Sequence, residues 1–359
     1  MRFYYLQFAR FLAAVYVLFF HKFFSGFSTA DFLISKGDSA VSFFFILSGF
    51  VITNSLLRNP VGFKEYLYRR SLKIMPLWIL SVLFSIIASA TFSLTPVRFF
   101  LAILLLQTVY PNYSLDINFV GWSLSVEFIM YIILFFTVTC LNVKSKGFAF
   151  CVILVWVLTQ FVFLHLISIN TVHLNTWFDF DFFIFYHPIW HLSSFLMGIL
   201  SAVYVDQFKM PGLLRLQYSA FIVSIVYILM LAISFFAGYK IGLARFYHSG
   251  FFAPVTGLYL IVLSNLEKFK SKFKSNFNLK LQNQLFDILG NISFGIYLFH
   301  IPIYNVMNLF VVVGNNGWTF WVYFCTVLLF SYFSYKIFDE ALHRLSKPVL
   351  ERLSKANLS

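Results

Sequence analysis

Residues 6–24 read LQFARFLAAVYVLFFHKFF, a stretch long and apolar enough to cross a bilayer as one helix, yet it contains an arginine and a histidine. Arg10 and His21 are eleven positions apart, which is within roughly 20° of three full turns and about 16 Å of helix axis. Both side chains therefore lie on one helix face at different depths. An ionisable side chain within a bilayer usually faces the protein interior or a wet cavity, so the pair predicts a polar path along this helix. The alternative is that Arg10 reaches the inner interface and His21 the outer one, beside Lys22.

The composition of the whole chain supports a membrane protein. Of the 359 residues, 60% are hydrophobic and only 11% are charged, whereas soluble domains carry about 25% charged residues. We therefore predict an all-α fold, a polytopic bundle of transmembrane helices. The formal net charge of +13 would suggest nucleic acid in a soluble chain. Here the charges follow the predicted topology instead, and we expect no nucleic-acid partner.

About ten spanning helices are predicted, together with one short helix that does not cross. Each predicted crossing is close to the ~20 residues that a bilayer requires. They lie near residues 6–24, 37–56, 75–92, 119–142, 148–168, 186–206, 218–238, 248–265, 288–311 and 318–338. The segment 96–109 is apolar, but it is shorter than a crossing and contains Arg98, so it is predicted to be a re-entrant or interfacial helix.

The lysines and arginines predict the orientation in the membrane. With both termini in the cytoplasm, 19 of the 26 basic residues fall in inner segments when Lys336, at the inner end of the last crossing, is counted with the tail. This asymmetry fits the positive-inside rule. The inner segments are 57–74, 143–147, 207–217, 266–287 and the C-terminal tail. We found no internal repeat, which argues against an inverted-repeat transporter.

One carboxylate and one histidine lie deep in predicted crossings. Glu127 lies in GWSLSVEFIMY (121–131), with Ser123 and Tyr131 on its helix face. A buried carboxylate is costly, so a functional role is favoured. His300 lies in NISFGIYLFHIP (291–302) with Tyr297 one turn before it. Its imidazole is either a hydrogen-bonded core group or part of a proton relay.

A basic cluster precedes the third predicted crossing, in FKEYLYRRSLKIMPLW (63–78). Arg69, Arg70 and Lys73 are either a topogenic cluster or a site for a phosphorylated cytosolic ligand, since guanidinium groups bind phosphates bidentately. His187 and His191 are interpreted as an interface pair rather than a metal site, because no third ligand follows at suitable spacing. Ser48 and Gly49 are interpreted as small residues that allow close helix packing.

Five motifs in order resemble the integral-membrane acyltransferase-3 family, which O-acylates bacterial cell-surface carbohydrates and some other exported molecules. They are R-x10-H at Arg10 and His21, FFFILSGFVI at 43–52, YRRSLKIMP at 68–76, GWSLSVEF at 121–128 and ISFGIYLFHIP at 292–302. The resemblance covers nearly the whole chain. It implies a membrane acyltransferase domain over residues 1–345, a short basic cytoplasmic tail over 346–359, and a location in the bacterial inner membrane.

The resemblance also implies a reaction. An acyl group, expected to be acetyl, would move from cytoplasmic acetyl-CoA to a hydroxyl of an exported or lipid-linked glycan, without a metal. Two alternatives remain open, a glycolipid transporter or flippase and a membrane scaffold. Polysaccharide-assembly proteins are possible partners.

Roles for particular residues follow from this expected chemistry. His21 is expected to be the base or acyl carrier, Arg10 to supply electrostatic stabilisation or contact the donor, and Glu127 and His300 to orient groups or relay protons. Arg69, Arg70 and Lys73 are expected to bind the donor phosphates. The expected substrate-binding residues are Trp122, Ser123, Ser125 and Tyr297.

Overall fold

The computed structural model describes residues 3–21, 34, 36–37, 39–88, 95–169, 180–208, 217–226, 229, 250–270, 277–313 and 317–356. Over these residues the regular secondary structure is entirely helical, which confirms the predicted all-α bundle. The twelve α-helices described are α1 Tyr4–His21, α2 Ser39–Arg58, α3 Phe63–Ala88, α4 Pro96–Ile103, α5 Gly121–Cys140, α6 Lys146–Ile169, α7 Phe180–Tyr186, α8 Leu192–Tyr204, α9 Gln217–Val226, α10 Ala253–Lys270, α11 Phe277–Asn308 and α12 Trp318–Ala356.

The helices agree with the predicted crossings in most places. Seven helical segments of the described chain are long and apolar enough to cross a membrane. Helices α1 and α10 are not among these seven segments, but each has 18 residues and is about 27 Å long. The predicted crossing at 218–238 lies largely outside the described residues, beyond α9. Helix α12 continues through residue 346, so the backbone has no break at the predicted end of the membrane domain.

The start of the third helix was predicted wrongly. The third crossing was predicted to begin near residue 75, with the basic cluster in the inner segment before it, but α3 begins at Phe63 and carries the cluster on its first turns. Lysine, arginine and glutamate are good helix formers, and the pair Glu65–Arg69 is spaced to stabilise a helix. The helix instead starts just after Pro60 and Gly62, the residues that break the preceding backbone.

The predicted short helix is present. Helix α4 has eight residues, about 12 Å, and two short 3₁₀ turns follow it at Gln107–Val109 and Pro111–Tyr113. Trp78 on α3 donates its indole N–H to the Ala102 carbonyl at 2.9 Å, and Ser125 on α5 donates to the Leu105 carbonyl at 2.7 Å. These two bonds fix the end of α4 against the longer helices.

Helices α2 and α8 pack with their backbones almost in contact. A Cβ atom added to Gly49 would lie 2.4 Å from the Phe195 carbonyl oxygen, and one added to Gly198 would lie 2.2 Å from the Ile46 oxygen. Only glycine permits this approach at either position, since the obstructing atoms are backbone. The packing role predicted for Gly49 is therefore confirmed.

Helix α11 packs against both α1 and α3, and the three helices run in the same direction. Phe8 stacks on Phe286 with ring centroids 4.5 Å apart, and thirteen residues further along α1 the His21 ring contacts His300. Phe84 of α3 meets Phe299 of α11, at 6.3 Å, beside the same histidine. Residues early in these three helices therefore lie at one end of the bundle, and His21 and His300 lie towards the other.

Candidate active site

A cavity of about 270 Å³ opens between α1, α2, α3, α5 and α11. Its walls are mainly apolar, but charged side chains from three different helices line it. These are Arg10 of α1, Arg70 and Lys73 of α3, and Glu127 of α5. Three cations and one carboxylate therefore share one cavity, which gives it an excess of positive charge and suits it to an anionic ligand.

Glu127 is held in place by two hydroxyl groups. Ser48 Oγ donates a short hydrogen bond to Oε1 of Glu127, and Tyr131 Oη donates to the same oxygen at 2.6 Å. The Tyr131 contact follows from helical spacing, since it lies four residues after Glu127. The Ser48 contact comes from α2, so the serine that was predicted only to allow packing also orients the carboxylate.

The structure divides the predicted basic cluster. Arg70 and Lys73 line the cavity, whereas Arg69 turns away to form an ion pair with Glu65 at 2.6 Å and is half exposed. Arg69 is thus not brought to the site, because Glu65 lies one turn before it on its own face.

Arg70 is positioned by aromatic rings. Its guanidinium carbon lies 5.6 Å from the Tyr66 ring and 5.9 Å from the Tyr131 ring, within the range of cation–π attraction. Its Nε is buried and has no hydrogen-bond partner among the described residues. A buried donor of this kind is normally satisfied by a ligand or water, so Arg70 has hydrogen-bonding capacity to offer an anion.

His21 and His300 form a direct pair. The Nε2 atom of His300 lies 3.2 Å from Nδ1 of His21, although the two residues are 279 positions apart in the chain. His300 is fully buried, and its Nδ1 lies 2.7 Å from the Tyr297 carbonyl oxygen and 3.2 Å from that of Ile296. The position of a proton on either ring follows from these partners.

Two carbonyl acceptors beside Nδ1 of His300 require that nitrogen to carry the proton. Nε2 of neutral His300 is then an acceptor, and Nδ1 of His21 is the donor that it faces. The Val17 carbonyl, 3.1 Å from the same His21 nitrogen, requires a proton there as well. The lone pair of neutral His21 is consequently on Nε2, the arrangement required of a general base held by a second group.

Neither His21 nor His300 lines the cavity, and Tyr297 is the cavity residue that contacts His300. Ser123 and Tyr297 both line the cavity, and Ser123 Oγ and Tyr297 Oη lie 2.7 Å apart. Tyr297 precedes His300 by one turn, and their ring centroids are 6.2 Å apart. Two of the four residues predicted to bind substrate therefore line the cavity.

The other two predicted substrate-binding residues, Trp122 and Ser125, do not line the cavity. Trp122 packs among Phe45, Tyr186 and the buried His191, with ring centroids 5.0–6.1 Å apart. Ser125 is fully buried and holds the end of α4 through Leu105. His191 itself contacts the Phe185 carbonyl oxygen at 3.1 Å.

Sequence reasoning missed several residues that line the cavity, among them Gln7 and Phe44. Gln7 was detectable, since it is a polar side chain three residues before Arg10 on an apolar helix and so lies near the same face. Phe44 was also detectable, since Ser48 lies four residues after it on the same face of α2 and lines the same cavity.

The fold and the site together define a polytopic helical membrane protein with a cationic cavity and a histidine pair that begins one turn beyond the cavity residue Tyr297. A family model described as an acyltransferase domain, that of the acyltransferase-3 family, matches residues 3–336, nearly the whole chain. The chain belongs to this family. A comparison with curated proteins gave no match. A comparison with solved structures also gave no match.

Proposed function

We propose that this membrane acyltransferase moves an acetyl group from cytoplasmic acetyl-CoA to a hydroxyl of an exported or lipid-linked cell-surface glycan. The proposed location is the inner membrane of a bacterium, with both termini in the cytoplasm. The observation that carries the proposal is the His21–His300 pair, because its hydrogen bonds leave a basic nitrogen on His21 at the opposite end of the site from the cations. Membership of the acyltransferase-3 family favours this activity over a transporter or flippase.

The cationic end supports an acyl-CoA donor. Coenzyme A carries phosphates at one end and the thioester at the other, joined by a long flexible arm. Arg70 and Lys73 line the cavity on α3, eleven or more residues before Phe84, which marks the level of the histidine pair. This offset is about 16 Å of helix axis. The nucleotide end would lie among the cations while the thioester points towards His21.

The proposed reaction uses His21 to move one proton. Nε2 of His21 accepts the proton of the acceptor hydroxyl as the oxygen attacks the thioester carbonyl. The new acyl–oxygen bond forms, the carbon–sulfur bond breaks, and the proton passes from His21 to the departing coenzyme A thiolate. His300 stabilises the cationic imidazole by accepting its Nδ1–H. A route through an acyl-histidine would use the same His21 nitrogen.

Arg10 and Glu127 are assigned supporting roles in this proposal. Arg10 contributes positive charge to the cavity, where it would stabilise the donor or the oxyanion of the tetrahedral intermediate. Glu127 faces the same cavity and would orient the cations, since its own position is fixed by Ser48 and Tyr131. Neither role requires a metal ion.

The proposed activity is tested with membranes that contain the protein, radiolabelled acetyl-CoA and the membrane glycolipids of the producing strain. We expect label to appear in the glycolipid or glycan fraction, and mass spectrometry of a deletion strain to show glycan lacking acetyl groups. Translocation of glycolipid without transfer of label would support a flippase. Normal glycan in a strain that carries Ala at both His21 and Glu127 would support a scaffold.

The proposed orientation is tested by cysteine labelling. Cys140, Cys151 and Cys325 are exposed and are first replaced, after which single cysteines are introduced at Lys270 and Asn175. An impermeant maleimide applied to whole cells should label position 175 and not position 270, because the lysines of 266–287 are expected to face the cytoplasm. The reverse pattern of labelling would contradict the orientation.

A further inference from the structure

Three side chains from different helices meet where the charged cavity approaches the histidine pair. They are Phe44 of α2, Ser123 of α5 and Tyr297 of α11, and all three line the cavity. We call this set the constriction. Tyr297 is the part of it nearest to the histidines, since it lies one turn before His300 on α11.

Tyr297 contacts both other members of the constriction. The Phe44 ring packs edge-on against the Tyr297 ring, with centroids 5.6 Å apart. Tyr297 Oη lies 2.7 Å from Ser123 Oγ, and Ser123 Oγ in turn donates to the Val120 carbonyl at 3.0 Å. Tyr297 is only 5% exposed and Ser123 is also 5% exposed, so neither has much room to move.

Phe44 differs from the other two members. It is only partly buried and presents its ring to the cavity, whereas Ser123 and Tyr297 are tied together by their hydroxyls. The Phe44 ring therefore faces the cavity beside a wall that hydrogen bonds hold in place. Inserting extra methylenes against such a wall is unfavourable, because packed side chains yield little.

We propose that the constriction is the acyl-size filter of this enzyme and restricts its donors to short acyl groups. The inference rests on the proposed acyl-CoA donor. A thioester that extends from the Arg70 and Lys73 end towards His21 brings its acyl group against the cavity wall that Phe44, Ser123 and Tyr297 form. An acetyl group adds one methyl at this point, whereas a butyryl or hexanoyl group places further methylenes against the Phe44 ring.

The filter is tested with purified protein in lipid nanodiscs and a series of acetyl-, propionyl-, butyryl- and hexanoyl-CoA. Coenzyme A release is measured with the membrane glycolipid extract of the producing strain as acceptor. For the wild type we expect kcat/KM to fall by about tenfold or more from acetyl to butyryl. For Phe44→Ala the butyryl value should rise to within about threefold of the acetyl value, because the ring that blocks the methylenes is gone.

Two control variants separate size from other effects. Phe43 precedes Phe44 on α2 and contacts its ring, with centroids 6.0 Å apart, but Phe43 does not line the cavity. Phe43→Ala removes a similar ring without opening the cavity wall, so it should keep the wild-type preference. Tyr297→Phe removes the bond to Ser123 but keeps the ring, so it should relax the acetyl preference less than Phe44→Ala does. Phe44→Leu is a milder variant, expected to shift the preference in the same direction if Phe44→Ala does not fold.

The outcomes distinguish this inference from the function on which it rests. No release of coenzyme A from any donor by the wild type would overturn the proposed function itself. Release by the wild type that is equally efficient with acetyl and butyryl donors would overturn the filter alone. If Phe44→Leu or Phe44→Ala has the same donor preference as the wild type, the constriction does not select the donor.

Discussion

His21→Ala is expected to lower acyl transfer by about 10²–10⁴-fold while the protein remains folded and inserted, because loss of a general base typically costs that much. The reason lies in the pair geometry. Nδ1 of His21 is directed at the Nε2 acceptor of His300, 3.2 Å away, so Nε2 of His21 is the basic nitrogen of the site. Transfer is measured with labelled acetyl-CoA at saturating donor, and insertion is checked by the amount of detergent-soluble monomer.

The exposed His165 supplies a matched control. His165→Ala removes an imidazole from an apolar helix away from the pair and should leave activity within about twofold of the wild type, as most surface substitutions have small effects. His300→Ala should lower kcat with little change in KM for acetyl-CoA, because it removes the group that orients His21 rather than a donor contact. Activity of His21→Ala within tenfold of the wild type would exclude the catalytic role.

Arg70→Ala is expected to raise the KM for acetyl-CoA about tenfold or more, with a smaller change in kcat, the pattern of lost ground-state binding. Arg70 faces the cavity with a buried Nε that has no hydrogen-bond partner among the described residues. Charge-assisted hydrogen bonds to phosphate are about twice as strong as neutral ones, so one lost contact accounts for a change of this size. Arg70→Lys should rescue only in part, because the planar fork is lost.

The neighbouring arginine makes this experiment specific. Arg69 has the same charge and lies on the same turn of α3, but it is paired with Glu65 and half exposed. Arg69→Ala should therefore change the KM for acetyl-CoA by less than about twofold, whereas a cluster that acts only through topology predicts similar behaviour for both variants. Added salt should weaken donor binding more in the wild type than in Arg70→Ala. Equal effects of Arg69→Ala and Arg70→Ala on the KM for acetyl-CoA would contradict a donor site on α3.

Several features of this protein were predictable from the sequence because they depend on spacing within one helix. Composition and run length were sufficient to predict the helical membrane bundle, and an apolar run shorter than a crossing predicted α4. Helical periodicity placed Tyr131 beside Glu127, since residues four apart are neighbours on a helix surface. The same rule indicated that Arg10 and His21 share a face of α1.

The sequence motifs grouped neighbouring residues into one predicted site although their side chains point in different directions. Successive residues differ by 100° around a helix, so Trp122 and Ser125 diverge from Ser123 although all three belong to one motif. Arg69 and Arg70 are both close in spacing to Lys73, and the prediction did not choose between them, although Glu65 lies four residues before Arg69. The choice followed from Glu65, which pairs with Arg69 one turn away.

The tertiary structure alone decided which residues from distant parts of the chain meet. His300 contacts His21 across 279 positions, Tyr297 contacts Ser123 across 174, and Glu127 accepts from Ser48 across 79. No local pattern encodes these contacts, because they depend on which helices pack together and at what height. Here the parallel packing of α1 and α11 aligns the two histidines, and the close approach of α2 to α8 at Gly49 fixes the helix that carries Ser48 and Phe44.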